Sequence, residues 1–184
     1  MTEEPGPPGG FGAVDVGYSE PGRARAALVV ARAADFGGEL AEHVACVDGV
    51  TPYSPGEFFR RELPALRAAG TRRLIVVGGA GSLRQGGGRH VDSPGFPDAW
   101  KPAALDAVRA RDFYLTVRDI DWLYVSPAAV IEPGERTGTF RVGRDELLTD
   151  AAGASRISID DYAMGLVDQL EQPAAHRAQL TLAY

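Results

Sequence analysis

One stretch of this chain leaves little freedom in what it can fold into. In "RRLIVVGGAGSL", residues 72–83, an unbroken apolar run leads directly into Gly78 and Gly79. A strand that is apolar at every position suits a parallel sheet covered on both faces, because an edge strand usually alternates in polarity. The glycines leave two interpretations open. They could form a tight turn that needs positive φ, or a strand end where a flat ring approaches the backbone.

Strands and helices alternate along the chain, which predicts an α/β fold with right-handed crossovers and a mostly parallel sheet. The predicted strands are residues 11–17, 42–50, 72–79, 120–127 and 178–184. The predicted helices are residues 20–36, 54–70, 99–117 and a last one that follows Ser158 and ends at Pro173. Residues 84–97 form a Gly/Pro-rich loop, and residues 135–143 resemble a small hairpin.

The helix at residues 54–70 carries its own start and stop signals. Ser54 and Glu57 have the spacing of a capping box, and Gly70 is suited to the position after the helix end. Pro64 lies inside this helix and should kink or divide it, because proline has no amide hydrogen to donate.

Length and charge restrict the class of protein. A chain of 184 residues with a net charge of −6 predicts a single domain over residues 1–184, with residues 1–12 disordered. No basic cluster is present, which argues against nucleic acid as a partner. No apolar run reaches the length of a membrane span, and the N-terminus lacks the pattern of a secretory signal. These features predict a cytoplasmic protein without a membrane partner.

Metal and disulfide chemistry find no support in the residue pattern. Cys46 is the single cysteine, which excludes an intramolecular disulfide and a zinc site built on several cysteines. His43, His90 and His176 lie far apart without ligand spacing, so no metal site is predicted.

A glycine-rich phosphate turn needs a strand before it and a helix after it, so that the amides of the helix end meet the pyrophosphate. "GPPGGFG", residues 6–12, has the GxxGxxG spacing, but only five residues precede Gly6. The segment at Gly78 has the strand but is followed by a loop that cannot form a helix. Neither segment is therefore predicted to hold a pyrophosphate.

Several residues at helix starts and strand ends are candidates for binding a ligand or for proton transfer. Lys101 begins a helix after the glycine loop, where it could hold a ribose hydroxyl or assist proton transfer, or be an ordinary surface lysine. Ser126 and Pro127 could form a wall against a ring or simply end a strand. Asp160 and Asp161 favour helix capping over acid–base chemistry.

Four blocks resemble, in order and spacing, the atypical short-chain dehydrogenase/reductase group. They are "RRLIVVGGAGSL", "VDSPGFPDAWKPAALDAVR", "DIDWLYVSPAAVIEPGERTGTFRVG" and "SRISIDDYAMGLVDQLEQP". The likeness is to the small NAD(P)H-binding branch that is called NADH-flavin-reductase-like or NmrA-like. "AVDVG" followed by "EPGRARAAL" is similar to the third strand and helix of that group.

The resemblance implies a Rossmann-like sheet with flanking helices that binds NAD or NADP. It implies that Asp15 and Val16 touch the adenine. It further implies that the nicotinamide side is lined by Gly78, Gly79, Ser126, Pro127 and Ala128, with Lys101 as the catalytic or ribose-binding residue. The Tyr-x-x-x-Lys pair of the wider superfamily is absent, because Pro97 stands four residues before Lys101.

Relatives in that group open with a strand, a GxxGxxG turn, a helix and a second strand, whereas this chain begins near the third strand. We therefore expect an N-terminally incomplete sheet and weak or no NAD(P)H binding. A misassigned start codon, a rearrangement of residues 1–40 or a truncated remnant would each explain the difference. The gap would expose the fourth strand, at residues 43–50, and favour a homodimer.

These features favour an NAD(P)-binding oxidoreductase-like protein that passes hydride to a small flat acceptor such as a flavin or quinone. Two alternatives stay open. The chain could be a non-catalytic module that senses the dinucleotide or binds a protein, or an inactive truncated remnant.

Overall fold

The computed structural model describes residues 11–20, 22–31, 40–52, 54 and 56–184. The chain divides into two compact units, residues 1–72 and 73–184. The expected single domain over residues 1–184 stays a prediction. Residues 1–10 lie outside the described residues, whereas Phe11 and Gly12 belong to the first strand, so the prediction of disorder is wrong for those two.

The first unit is an antiparallel sheet with a helix packed against it. Its strands are β1 (Phe11–Glu20), β2 (Arg23–Ala31) and β3 (Leu40–Asp48), in the order β1-β2-β3. Helix α1 (Phe58–Ala68) covers the sheet. The core is made of small and β-branched side chains, namely Val16, Ala24, Ala26, Val50 and Ala65.

Two sequence-based predictions fail in this unit. The helix predicted over residues 20–36 is wrong, because β2 pairs antiparallel with both β1 and β3. Arg23 and Arg25 are exposed while Ala24 and Ala26 are buried, which is the two-residue period of a strand. Residues 42–50 are likewise not a fourth parallel strand, since β3 runs antiparallel to β2.

Helix α1 begins and ends close to the predicted positions but lacks the predicted cap. Glu57 is its N-cap and no side chain makes a capping hydrogen bond, so the capping box is wrong. The helix continues through Pro64 without being divided. Gly70 has a φ of +73°, which confirms the left-handed stop expected after the helix.

The second unit contains the remaining strands and two long helices. In chain order they are β4 (Arg73–Val77), β5 (Arg84–Gln85), β6 (Gly88–Arg89), α2 (Lys101–Tyr114), β7 (Asp121–Pro127), β8 (Val130–Glu132), β9 (Arg141–Gly143), β10 (Arg156–Ser158), α3 (Ile159–Glu171) and β11 (Ala178–Ala183). The main sheet has the order β4-β7-β11-β9, in which the first three strands are parallel and β9 is antiparallel to β11. This confirms a mixed α/β fold with parallel strands and flanking helices.

The core of this unit lies around the two inner parallel strands. Leu123 and Val125 of β7 and Leu180 and Leu182 of β11 are almost completely buried. By contrast, β4 lies at the edge of the sheet and Val77 is 68% exposed, so its predicted cover on both faces is wrong. No helix in the described part of the chain is long and apolar enough to cross a membrane.

Two short segments differ from what the sequence predicted for them. Strands β5 and β6 form a hairpin inside the loop predicted over residues 84–97. Residues 135–143 are not a hairpin, because β9 pairs with β11 and β8 pairs in parallel with β10. Both corrections concern segments at the carboxyl edge of the parallel strands.

Candidate functional site

The carboxyl ends of β4 and β7 are joined by hydrogen bonds. The amide of Gly78 donates to the carbonyl of Val125 at 2.8 Å. The hydroxyl of Ser126 donates to the carbonyl of Gly79 at 3.0 Å. The structure thus brings the glycines that follow β4 together with Ser126, and the chain continues from there into Pro127 and Ala128. This region is called the strand-end junction below.

Tyr124 connects the strand-end junction to helix α2. Its hydroxyl donates to the carbonyl of Ala107 at 2.8 Å and accepts from the amide of Gly79 at 3.3 Å. Burial raises the pKa of the Tyr124 hydroxyl and outweighs the opposite effect of the Gly79 amide. The hydroxyl therefore stays protonated and acts as a structural link.

A buried glutamine supports the same junction from the neighbouring strand. The side-chain amide of Gln179 donates to the hydroxyls of Ser82, at 2.8 Å, and Ser126, at 2.9 Å. Its carbonyl oxygen accepts from Nε of Arg111 at 2.9 Å. Ser126 is completely buried and its hydroxyl both donates and accepts inside the protein. Ser126 is thus built to hold the junction together.

Lys101 lies at the start of helix α2. It is the first residue of α2 and lines a shallow cleft of about 460 Å³ together with Asp98, Leu105 and Arg109. None of the described residues of the strand-end junction lines that cleft. Lys101 therefore lines a cleft to which the strand-end junction does not contribute, and its assigned role stays a prediction.

Asp15 and Val16 belong to β1 in the first unit, whereas the other predicted site residues belong to the second unit. Asp15 is exposed, and its carboxylate accepts from the amide of Val16 at 2.9 Å. Val16 is only 7% exposed and belongs to the core of its own unit. Their predicted contact with adenine stays a prediction.

Asp161 is a buried carboxylate that several hydrogen bonds hold in place. It accepts hydrogen bonds from the hydroxyl of Thr137 at 2.6 Å, the amide of Gly138 at 2.9 Å and the hydroxyl of Tyr184 at 2.9 Å. Burial favours the neutral acid, but these donors prevail and lower the pKa of Asp161 to about 2. The carboxylate ties the loop before β9 to the end of the chain.

The expected cap of helix α3 is confirmed. The hydroxyl of Ser158 accepts from the amide of Asp161 at 3.0 Å, as an N-cap does. Tyr162, one residue later, donates from its hydroxyl to the carbonyl of Val125 at 2.6 Å, and burial raises its pKa. These groups are occupied by structural contacts, which agrees with the preference for capping over acid–base chemistry.

Sequence reasoning missed the residues that support the junction. Tyr124, Gln179 and Arg111 were not selected, although a signal existed for the first two. A tyrosine or a glutamine inside an apolar strand must find a hydrogen-bond partner when it is buried. This pattern predicts that a hydrogen-bond partner exists but does not identify which residue it is.

The chain is similar in sequence to a known protein family and to a curated relative. The family described as NAD(P)H-binding matches residues 23–173. Over 127 residues the chain is 36% identical to the uncharacterized protein YwnB of Bacillus subtilis, covering 67% of this chain and 60% of that protein. The chain thus spans about 60% of the length of this curated relative.

Two solved structures are similar. A candidate exported protein from Burkholderia pseudomallei is 47% identical, with a TM-score of 0.65, and the match covers 68% of this chain and 61% of that one. A candidate NADH-flavin reductase from Streptococcus pneumoniae is 37% identical, with a TM-score of 0.58, over 60% of this chain and 55% of that one.

Proposed function

This chain belongs to the NAD(P)H-binding family, and we propose that it is an oxidoreductase-like domain that holds the nicotinamide end of NAD or NADP at the strand-end junction. One observation carries this proposal: the hydrogen bond from Ser126 to Gly79, 3.0 Å long, joins the ends of two adjacent parallel strands. Open α/β sheets bind their ligands at this edge of the sheet.

The residues present fit a flat ring through their backbone. Gly79 and Ala80 are half-buried and carry no side chain larger than a methyl group, so a ring can approach the peptide plane there. Ser126, Pro127 and Ala128 are buried and would support this surface. When bound, the cofactor supplies the hydride, while the chain supplies position and exclusion of water.

We propose a small flat acceptor for the hydride, such as a flavin or a quinone. The name of the similar protein from Streptococcus pneumoniae supports a flavin. The tyrosine of the superfamily's Tyr-x-x-x-Lys pair is absent, and Pro97 stands in its place. This favours the alternative of a non-catalytic module that senses NAD(P). Cofactor binding without turnover would favour that module. A homodimer and a cytoplasmic location also stay proposals.

The test is a fluorescence titration of the 184-residue chain with NADPH and with NADH, followed by an assay of hydride transfer to a flavin and to a quinone. We expect saturable binding that is weaker than micromolar, and a complete lack of binding would overturn the proposal. Micromolar affinity would overturn only the expectation of weak binding.

A matched pair of variants locates the site. A Cβ at Gly79 would meet the Ala107 side chain of helix α2 at 3.1 Å, so Gly79→Ala should displace the Gly79 peptide and weaken cofactor binding. Gly88 has open space around its Cβ position, so Gly88→Ala should leave binding unchanged. Equal affinities of the two variants would place the nicotinamide elsewhere.

A further inference from the structure

The loop after β4 forms a second, open cleft, distinct from the one that Lys101 lines. It has a volume of about 600 Å³, within the range of small-molecule sites, and lies between residues 85 and 97. Its lining includes Gln85, His90, Ser93 and Phe96. The strand-end junction does not use these side chains.

Backbone hydrogen bonds hold this cleft close to the end of β4. The amide of His90 donates to the carbonyl of Leu83 at 2.8 Å, and the hydroxyl of Ser93 donates to the carbonyl of His90 at 2.6 Å. The turn at residues 80–82, which follows the glycines, packs against the turn at residues 90–92. The cleft is therefore an ordered neighbour of the proposed nicotinamide position.

The hydrogen bonding of His90 determines what its ring can offer a ligand. Nδ1 lies 2.7 Å from Oε1 of Gln85, and because an amide oxygen can only accept, this contact favours the tautomer with the hydrogen on Nδ1. Burial lowers the pKa of His90, which favours the neutral ring at pH 7. The second nitrogen, Nε2, then has a free lone pair, and no described residue donates to it.

The cleft offers two aromatic rings beside a rim that carries one cation and one carboxylate, Arg89 and Asp92. The rings of His90 and Phe96 meet edge to face, with centroids 5.2 Å apart. Such aromatic surfaces bind planar ligands through stacking and edge contacts. Arg89 is already paired with Asp112 at 2.8 Å, which offsets the charge of the cation on this rim.

We propose that the cleft at residues 85–97 binds a planar heteroaromatic ring with an N–H edge, and that Nε2 of His90 accepts a hydrogen bond from that N–H. The inference rests on the proposed function where it names the ligand as the hydride acceptor. The N–H contact distinguishes the two classes of acceptor, flavins and quinones. The isoalloxazine ring of a flavin carries an imide N–H, whereas an oxidised quinone has no N–H to donate. His90 is thus the residue that selects a flavin over a quinone.

The experiment compares riboflavin with N3-methylriboflavin, whose imide hydrogen is replaced, by isothermal titration of the full chain without nicotinamide. We expect the wild type to bind riboflavin at least about tenfold more tightly, because the methyl group of N3-methylriboflavin leaves Nε2 of the half-buried His90 without a donor in the bound complex. His90→Phe keeps an aromatic ring but removes the acceptor, so it should bind both ligands equally.

Two further variants serve as controls. His176→Phe changes an exposed histidine that is bound to Asp121, and it should retain the preference for riboflavin. Phe96→Leu should weaken both ligands alike, since it removes a stacking surface without touching the acceptor. A preference for riboflavin that survives in His90→Phe would overturn the inference.

The outcomes also separate this inference from the proposed function. Equal binding of the two flavins by the wild type, or no binding of either at millimolar concentration, overturns the role of the cleft. If NADPH binds normally in that case, the proposed function stands. If NADPH fails to bind but the riboflavin preference depends on His90, the cleft stands and the oxidoreductase proposal fails.

Discussion

The backbone of Gly78 lies against the ring of Tyr124 so closely that a Cβ at Gly78 would stand 2.2 Å from Cε1 and 2.7 Å from Cδ1 of that ring. Tyr124 is only 1% exposed, so the ring has no open space into which it could turn. The first glycine after β4 is therefore required by packing inside the protein. The cofactor surface that we propose therefore begins one residue later, at Gly79.

Replacing Gly78 with alanine should destabilise the fold. The added methyl group forces a buried ring to move, and overpacking of this kind costs about 1–3 kcal/mol of unfolding free energy. Gly88→Ala serves as the control, because its Cβ position is open and the change should stay below about 1 kcal/mol. Urea unfolding measures both. Equal stability of Gly78→Ala and wild type would contradict the close approach.

The second unit was largely predictable from its sequence, whereas the first was not. Strands β4 and β7 are short apolar runs, and β11 alternates between apolar and polar residues. Both patterns favour a strand over a helix at these lengths. The segment "RARAALVVA" of β2 has apolar residues at both helical and strand spacings, and Pro21 before it favoured a helix. Pairing with β1 and β3 decided the conformation, and such tertiary pairing is not contained in a local pattern.

The support of the candidate site could not be predicted for a similar reason. Gln179 stands 97 residues after Ser82 and 53 residues after Ser126, yet it donates to both hydroxyls. The glycines and Ser126 were identifiable because they end two apolar strands. Their hydrogen-bond partner follows from strand order and from the direction of one side chain, neither of which the spacing of residues reveals.

Gln179→Leu should lower the unfolding free energy by about 1–3 kcal/mol, because the hydroxyls of Ser82 and Ser126 lose their donor and Arg111 loses an acceptor. Gln172→Leu changes an exposed glutamine and should have an effect within about 0.5 kcal/mol. Combining Gln179→Leu with Ser126→Ala should cost less than the sum of the two changes, with a coupling of about 0.5–3 kcal/mol. Additive effects in urea unfolding would show that the two residues act separately.

Asp161→Asn should destabilise the protein at neutral pH, and the loss should shrink in acid. The pKa of Asp161 is lowered from 3.8 to about 2 in the folded state, so its carboxylate stabilises the fold above pH 4. As the pH falls from 4 toward 2, wild type loses this contribution and approaches the variant. Thermal unfolding at pH 7, 4 and 2.5 measures the difference. Asp160→Asn serves as the control, because Asp160 is exposed and accepts none of the hydrogen bonds that Thr137, Gly138 and Tyr184 donate to Asp161. A difference that does not change with pH would assign the effect to lost packing.

Lys101→Ala tests whether the lysine contacts the cofactor. If Lys101 holds a ribose hydroxyl, its loss should weaken NADPH binding by roughly tenfold or more, the value of one hydrogen bond to a charged group. Arg109 lines the same cleft and forms an ion pair with Asp106, so Arg109→Ala removes an equal charge from the same place. A general effect of charge would make the two variants alike, because both lower the positive potential by one unit. A specific contact weakens binding in Lys101→Ala alone.

Fluorescence titration at two salt concentrations distinguishes these outcomes, since a contribution from long-range charge fades as the ionic strength rises. Unchanged affinity and turnover in Lys101→Ala would remove the lysine from the site and leave the strand-end junction as the whole of the proposed nicotinamide surface.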